Sequence, residues 1–332
     1  MNRIARKLKI GVRGSLDVEI EQTSVLPGGI VTGTVRLNVD KPIETQGLSV
    51  VFAGRERLRW DRLNKTDSGS PRDETFALHE EKIILINPWT TGSETLALNP
   101  GSLECSFAFE LPDSLPESFT YRSNRIKGMD RVCIAIDYDV TASLLVDGFL
   151  KADLECVEPI EMRSLSVPPI PNGDPVTAFK KDENRLLGFI KQGACDVNMN
   201  INSDVLDATS TIVANVDIAH SSKRELQSLR LSLVEDIEVD RERSKHIKSG
   251  SRVICSRLYE EKTLEAVTID PAWDYILHLP VTPNDVYEFE PLLPSMSSHF
   301  IVSLKYRVVL ECKFPMGRSV EVDAPVTVSR IA

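Results

Sequence analysis

A chain of 332 residues with 42% hydrophobic content has room for two ordinary domains, and a formal net charge of −10 argues against general nucleic-acid binding. No stretch approaches 18 uninterrupted apolar residues, so the sequence offers no membrane-spanning helix. The basic N-terminus, MNRIARKLKIGVRG, lacks the apolar run of a secretory signal, and the six cysteines show no CxxC spacing, which reads as reduced thiols in a cytosolic protein.

The elements that follow are strands. Leu16, Val18 and Ile20 alternate with polar residues, and the turn Pro27-Gly28-Gly29 leads to Val31, Gly33, Val35 and Leu37. Leu48, Val50 and Phe52 form a third strand, a polar loop spans 64–75, and a further strand runs through Lys82–Ile86. Asn99-Pro100-Gly101 turns into Phe107, Phe109 and Leu111, which end at Pro112. Residues 113–130 are too long and polar for a hairpin loop, and Val132, Ile134, Ile136, Tyr138, Val140 and Ala142 then alternate again. Residues 158–185 hold Pro159, Pro168, Pro169, Pro171 and Pro175 with few periodic apolar residues, the composition of a linker with little regular structure.

The second half repeats the first. Val197, Met199 and Ile201 lie 181 positions after Leu16, Val18 and Ile20, and Ile212, Ala214, Val216 and Ile218 follow Val31, Gly33, Val35 and Leu37 at the same distance. Leu229, Leu231 and Leu233 do the same for Leu48, Val50 and Phe52; Leu226, Leu229 and Leu233 also fit helical spacing, but this match selects a strand. Tyr275, Leu277 and Leu279 run into Pro280, 168 positions after Pro112, and Tyr306 follows Tyr138 at that same distance. Period-two alternation marks a strand with one buried face. The fold class is therefore all-β, with two tandem immunoglobulin-like sandwiches: residues 1–160, a Pro-rich linker 161–185, and residues 186–332. Tyr138 and Tyr306 are expected at equivalent places in the two copies. A polar segment, 238–252, separates strands in the second.

Enzyme signatures are missing. The five histidines lie far apart without metal-ligand spacing, and no GxSxG, GxxxxGK[ST] or GxGxxG occurs, so no catalysis, cofactor or metal is implied. Asp137 and Asp139 share a strand face, as an acid pair or a plain solvent face would; Cys255, beside Arg252 and Arg257, is either a reactive thiol or an inert strand cysteine.

Three basic clusters are candidate binding sites. Arg3, Arg6, Lys7, Lys9 and Arg13 bring five positive charges and no acid into the first fourteen residues, suited to a phosphorylated tail or anionic lipid. Arg55, Arg57 and Arg59 alternate with Leu58 and Trp60, the pattern of a half-exposed strand edge whose guanidinium forks can take phosphate or carboxylate. Arg241, Arg243 and Lys245, with Lys248 and Arg252, lie on the polar segment 238–252.

Several stretches resemble arrestin-domain proteins, specifically the α-arrestin branch. They are VLPGGIVTGTVRLNV (25–39), GLSVVFAGRERLRW (47–60), FAFELPDSLPESF (107–119), IAIDYDVTASL (134–144), GACDVNMNINSDVL (193–206) and the closing strands from His299 to Val328. The resemblance covers residues 14–330 and implies a two-domain arrestin fold with a non-catalytic cytosolic adaptor role. Such an adaptor binds cytoplasmic segments of membrane receptors or transporters, at the plasma membrane or endosomes, and links them to endocytic sorting or ubiquitylation. Lys7 and Lys9 fall where the first arrestin strand, with its phosphate-meeting lysines, would begin. The PPxY motif through which many α-arrestins recruit HECT-type ubiquitin ligases does not occur in these residues, the only Pro-Pro pair being Pro168-Pro169 before Ile170; either a tail carrying it was removed or this member works without it. A retromer-like coat subunit of the same fold is the alternative reading.

Overall fold

The computed structural model describes residues 13–61, 72–123, 126, 131–147, 153–164, 173–186, 190–220, 226–240, 247–260, 272–281, 292–315 and 319–329. Apart from a 3₁₀ turn at Pro88–Thr91, all regular structure among them is strand. In chain order these are β1 (Gly14–Ile20), β2 (Ser24–Val25), β3 (Ile30–Val39), β4 (Ile43–Asp61), β5 (Arg72–Ile86), β6 (Leu96–Leu98), β7 (Gly101–Glu110), β8 (Phe119–Ser123), β9 (Arg131–Val146) and β10 (Leu154–Met162). They continue as β11 (Val176–Leu186), β12 (Ile190–Ile201), β13 (Val205–Leu206), β14 (Thr211–His220), β15 (Ser228–Asp240), β16 (Ile247–Glu260), β17 (Ala272–Pro280), β18 (Ile301–Lys313) and β19 (Val320–Val328).

Two compact units result, the first drawn from Met1–Trp60, Ser70–Thr120 and Cys133–Leu165, the second from Asp61–Gly69, Tyr121–Val132 and Ser166–Ala332. Sheets in the first are ordered β1-β3-β7 and β2-β10-β9-β4-β5, with β6 also pairing β4. Those in the second are β11-β12-β14-β17 and β13-β19-β18-β15-β16. With β6, β8 (which pairs β9) and β11 set aside, the two sheet orders correspond strand for strand.

Registers correspond as well. Leu16 pairs with Leu37 and Val18 with Val35, while Val197 pairs with Ile218 and Met199 with Val216. The parallel pairs Val25–Met162 and Leu206–Val328 match too. Tyr138 sits opposite Ile160 and Tyr306 opposite Val326, each one residue past a strand proline, Pro159 or Pro325, so the two tyrosines do occupy equivalent places. One sequence match needs correction. Leu111 N–H donates to Gly29 O and Val281 N–H to Ser210 O, both at 2.9 Å, which aligns Leu111 with Val281. The spacing of β7 to β17 is therefore 170, not the 168 read from Pro112 and Pro280. An even slip keeps every side chain on its face, which is why the alternation did not reveal it.

The cores are filled differently. In the first unit Phe52 stacks on Tyr138 at 5.8 Å and meets Phe109 at 5.9 Å, and Phe107 lies 5.7 Å from Phe109. The equivalent positions in the second unit are Leu233, Leu279 and Leu277, all buried. An aromatic cluster thus becomes an aliphatic one, while each tyrosine stays.

Three stretches read as irregular carry strand. Within 158–185, β10 runs to Met162 and β11 begins at Val176, pairing along β12 as an edge strand. Its charged run Lys180–Glu183 gave no period-two apolar signal, because an edge strand needs little buried surface. The excursion 113–130 contains β8, with Leu115, Phe119, Tyr121 and Ile126 buried. The polar segment 238–252 is mostly the ends of β15 and β16.

Gly54 shows how tightly the aromatic cluster is built. A Cβ there would lie 2.4 Å from Tyr138 Cε1. We expect Gly54→Ala to destabilise the first unit by about 1–3 kcal/mol through overpacking, read as a lowered urea midpoint. An unchanged midpoint would show that the Tyr138 ring can step aside.

Candidate functional site

β4 lies inside its sheet, between β9 and β5, and is not the edge that its alternating arginines suggested. Its outward face carries Arg55, Arg57 and Arg59, because odd positions point away from buried Glu56, Leu58 and Trp60. Arg55 Nη1 pairs with Asp139 Oδ2 at 2.5 Å, and Arg57 Nε donates to Asp137 Oδ2 at 2.9 Å. Arg59 approaches Asp73 at 4.0 Å. Asp137 and Asp139 are therefore counter-ions to β4 and not an acid pair. An anion arriving here competes with carboxylates already in place; the exposed Arg57–Asp137 pair is worth about 0–1 kcal/mol, and Arg55–Asp139 is part-buried.

Arg13 serves a turn. Its Nη1 donates to Pro42 O at 2.7 Å, and its carbonyl accepts from Asp40 N (2.8 Å) and Lys41 N (3.2 Å). Lys7, Lys9, Arg241, Arg243 and Lys245 lie outside the described residues.

The most concentrated chemistry was missed by sequence reasoning. In the second unit, Glu235 on β15 is 1% exposed and accepts a two-pronged pair from Arg252 of β16, Nε–Oε1 at 2.7 Å and Nη2–Oε2 at 3.1 Å. Tyr121 Oη donates to Oε1 at 2.9 Å, and the Arg252 guanidinium carbon lies 5.3 Å from the centre of the Tyr121 ring. Tyr306 Oη lies 3.1 Å from Oε2 and 2.8 Å from Leu293 O. Burial alone would lower the Arg252 pKa, but Glu235 and Tyr121 hold it above its ordinary value. Burial, then Glu235, pushes the Tyr306 phenol up. The signal was parity: Glu235 continues the inward row Leu229, Leu231, Leu233 toward Ile237 and Val239.

In the first unit Gly54 takes the place of Glu235, leaving room for the Tyr138 ring, whose hydroxyl donates to Pro116 O at 2.6 Å. Burial, then nearby Glu56, raises that phenol. Cys195, Cys255 and Cys312, all in the second unit, are buried, which removes access to Cys255 as a reactive thiol; Cys105, Cys133 and Cys156, in the first, are half-buried. Burial pushes Cys105, Cys156 and Cys312 up. Among the described residues no group of three or more His, Cys, Asp and Glu is placed to hold a metal, and no helix is long and apolar enough to cross a membrane.

Removing one partner of the Glu235 pair strands a buried charge. Arg252→Met is expected to cost the second unit about 3–5 kcal/mol, and Arg252→Met with Glu235→Leu much less, since no uncompensated carboxylate remains. Urea titration of the single and double variants measures the difference; equal losses would mean the pair carries no special coupling.

The comparisons with known proteins bear on the same architecture. Residues 16–147 match the model of the arrestin (or S-antigen) N-terminal domain. The chain is also 22% identical over 321 residues to Arrestin domain-containing protein A of Dictyostelium discoideum, covering 95% of this chain and 51% of the relative. It thus spans about half the length of the curated relative it matches. That match falls on the first of two sandwiches whose sheet orders correspond, so the chain is similar to arrestin-domain proteins over that first sandwich.

Proposed function

We propose that this protein is a non-catalytic cytosolic adaptor of the α-arrestin type, which binds cytoplasmic segments of membrane receptors or transporters and links them to endocytic sorting or ubiquitylation. The observation that supports this most is the duplicated arrestin sandwich, with a family model across its first copy. Two sheets per unit leave strand edges to which an extended peptide can add, with main-chain bonds for affinity and alternate side chains for specificity. The N-terminal lysines, Lys7 and Lys9, supply attraction for phosphate or anionic lipid, in contrast to Arg55 and Arg57, whose charge Asp139 and Asp137 already offset. These 332 residues hold no PPxY, the motif through which many α-arrestins recruit a HECT-type ligase. The protein would act peripherally at the plasma membrane or endosomes.

Affinity purification of the native protein with mass spectrometry tests this, beside a bait carrying Lys7→Glu and Lys9→Glu. At about 1 kcal/mol per basic residue near an anionic surface, the two reversals are expected to reduce recovery of membrane cargo by tenfold or more. A fixed, stoichiometric set of coat subunits indifferent to these charges would replace the adaptor reading with a retromer-like one.

A further inference from the structure

The duplication shows where the first unit is left open. In the second unit the outer edge of β17 is closed at His278. Tyr259 Oη donates to His278 O at 2.6 Å and accepts from His278 N at 2.8 Å, and Arg257 Nη1 adds a bond to the same carbonyl at 3.2 Å. A side chain thus takes the place of a neighbouring strand. Tyr259 pairs with Leu229 and Arg257 with Leu231; the equivalent partners of Leu48 and Val50 are Ile86 and Ile83. Neither isoleucine has a donor, so nothing at these two positions can bond to the edge of β7.

Among the described residues β7 pairs with β3 alone. Because Leu111 N–H turns toward Gly29, the odd positions of β7 face β3, and the main-chain groups of Ser102, Glu104, Ser106, Ala108 and Glu110 face away from it. Those five side chains are exposed, three are small, and neither lysine nor proline, the usual blockers of an edge, is among them. The outward face of this sheet is acidic: Asp17, Glu19, Glu104 and Glu110 stand against Arg36, which already pairs with Glu19 at 2.6 Å and Glu104 at 3.0 Å. A second copy would lay an equally acidic face beside this one, so the edge is not built for self-pairing.

We propose that the β7 edge is a docking strand for an extended partner segment in which lysine or arginine alternates with apolar residues. Main-chain bonds join the segment to Ser106 and its even neighbours. Its basic side chains lie on the face of Glu104 and Glu110, and its apolar ones turn toward Ile83 and Ile86. This deepens the adaptor reading by giving the bound segment a chemistry, opposite in charge to one gripped by Lys7 and Lys9.

The test is fluorescence anisotropy on the full chain with a labelled twelve-residue peptide alternating lysine and valine, beside one of the same composition with its lysines in a block. The alternating peptide is expected to bind at least tenfold tighter. Ser106→Pro removes only an outward N–H and spares the β3 ladder; Ile86→Tyr installs the closure of the second unit. Each is expected to weaken binding tenfold or more with an unchanged thermal midpoint, and Glu104→Lys with Glu110→Lys likewise. Equal binding of the two peptides, or variants that fold and bind as wild type, overturns the proposal. This readout uses no cellular cargo. Loss of the adaptor reading in the purification leaves peptide binding standing, and cargo recovered equally by the Ser106→Pro bait sinks the edge alone.

Discussion

A tyrosine at the centre of a sandwich imposes two demands at once: its ring must be enclosed and its hydroxyl must still find an acceptor. Tyr138 and Tyr306 meet both in the same way, reaching from β9 and β18 to the carbonyls of Pro116 and Leu293. Each bond fixes the long connection that precedes its strand, and around each ring the neighbouring strand must yield. In the first unit it yields by having no side chain, at Gly54; in the second it supplies a carboxylate, Glu235. From that one exchange follow the aromatic cluster of the first core and the charged cluster of the second, with Arg252 and Tyr121 drawn in to satisfy the acid.

How far this was legible in the sequence follows from the same geometry. Alternation exposes the face of a strand, so the strands from Leu16 to Leu37 and their copies from Val197 to Ile218 were found in their true register. Alternation is blind to a slip of two, which is why Pro280 was matched to Pro112 although β17 sits two residues further on. It is also blind to strands that bury little, so β11 was taken for linker. Glu235 could be seen to point inward, but its partner could not. Arg252 lies beyond a register shift in the β15–β16 pair, and Tyr121 comes from the other half of the chain.

The charged residues that stood out in the sequence are, where described, largely spoken for. Arg13 braces the turn before β4, and Arg55 and Arg57 hold Asp139 and Asp137 across to β9. A run of like charges in a sequence says nothing of the opposite charges that folding brings beside it. What distinguishes the two units as binding surfaces is therefore the finish of their edges: β17 sealed by Tyr259, β7 left with small side chains and two glutamates.

The placement of the cysteines has a practical sequel. The three half-buried thiols all belong to the first unit and the three buried ones to the second, with Cys195 and Cys312 at 0% exposure. Modification of a thiol requires it to meet reagent, and the buried set is denied that until its sandwich opens. The native chain therefore carries its own clock for its second half: slow alkylation of Cys195, Cys255 and Cys312 times the opening of that sandwich alone, without any engineered label.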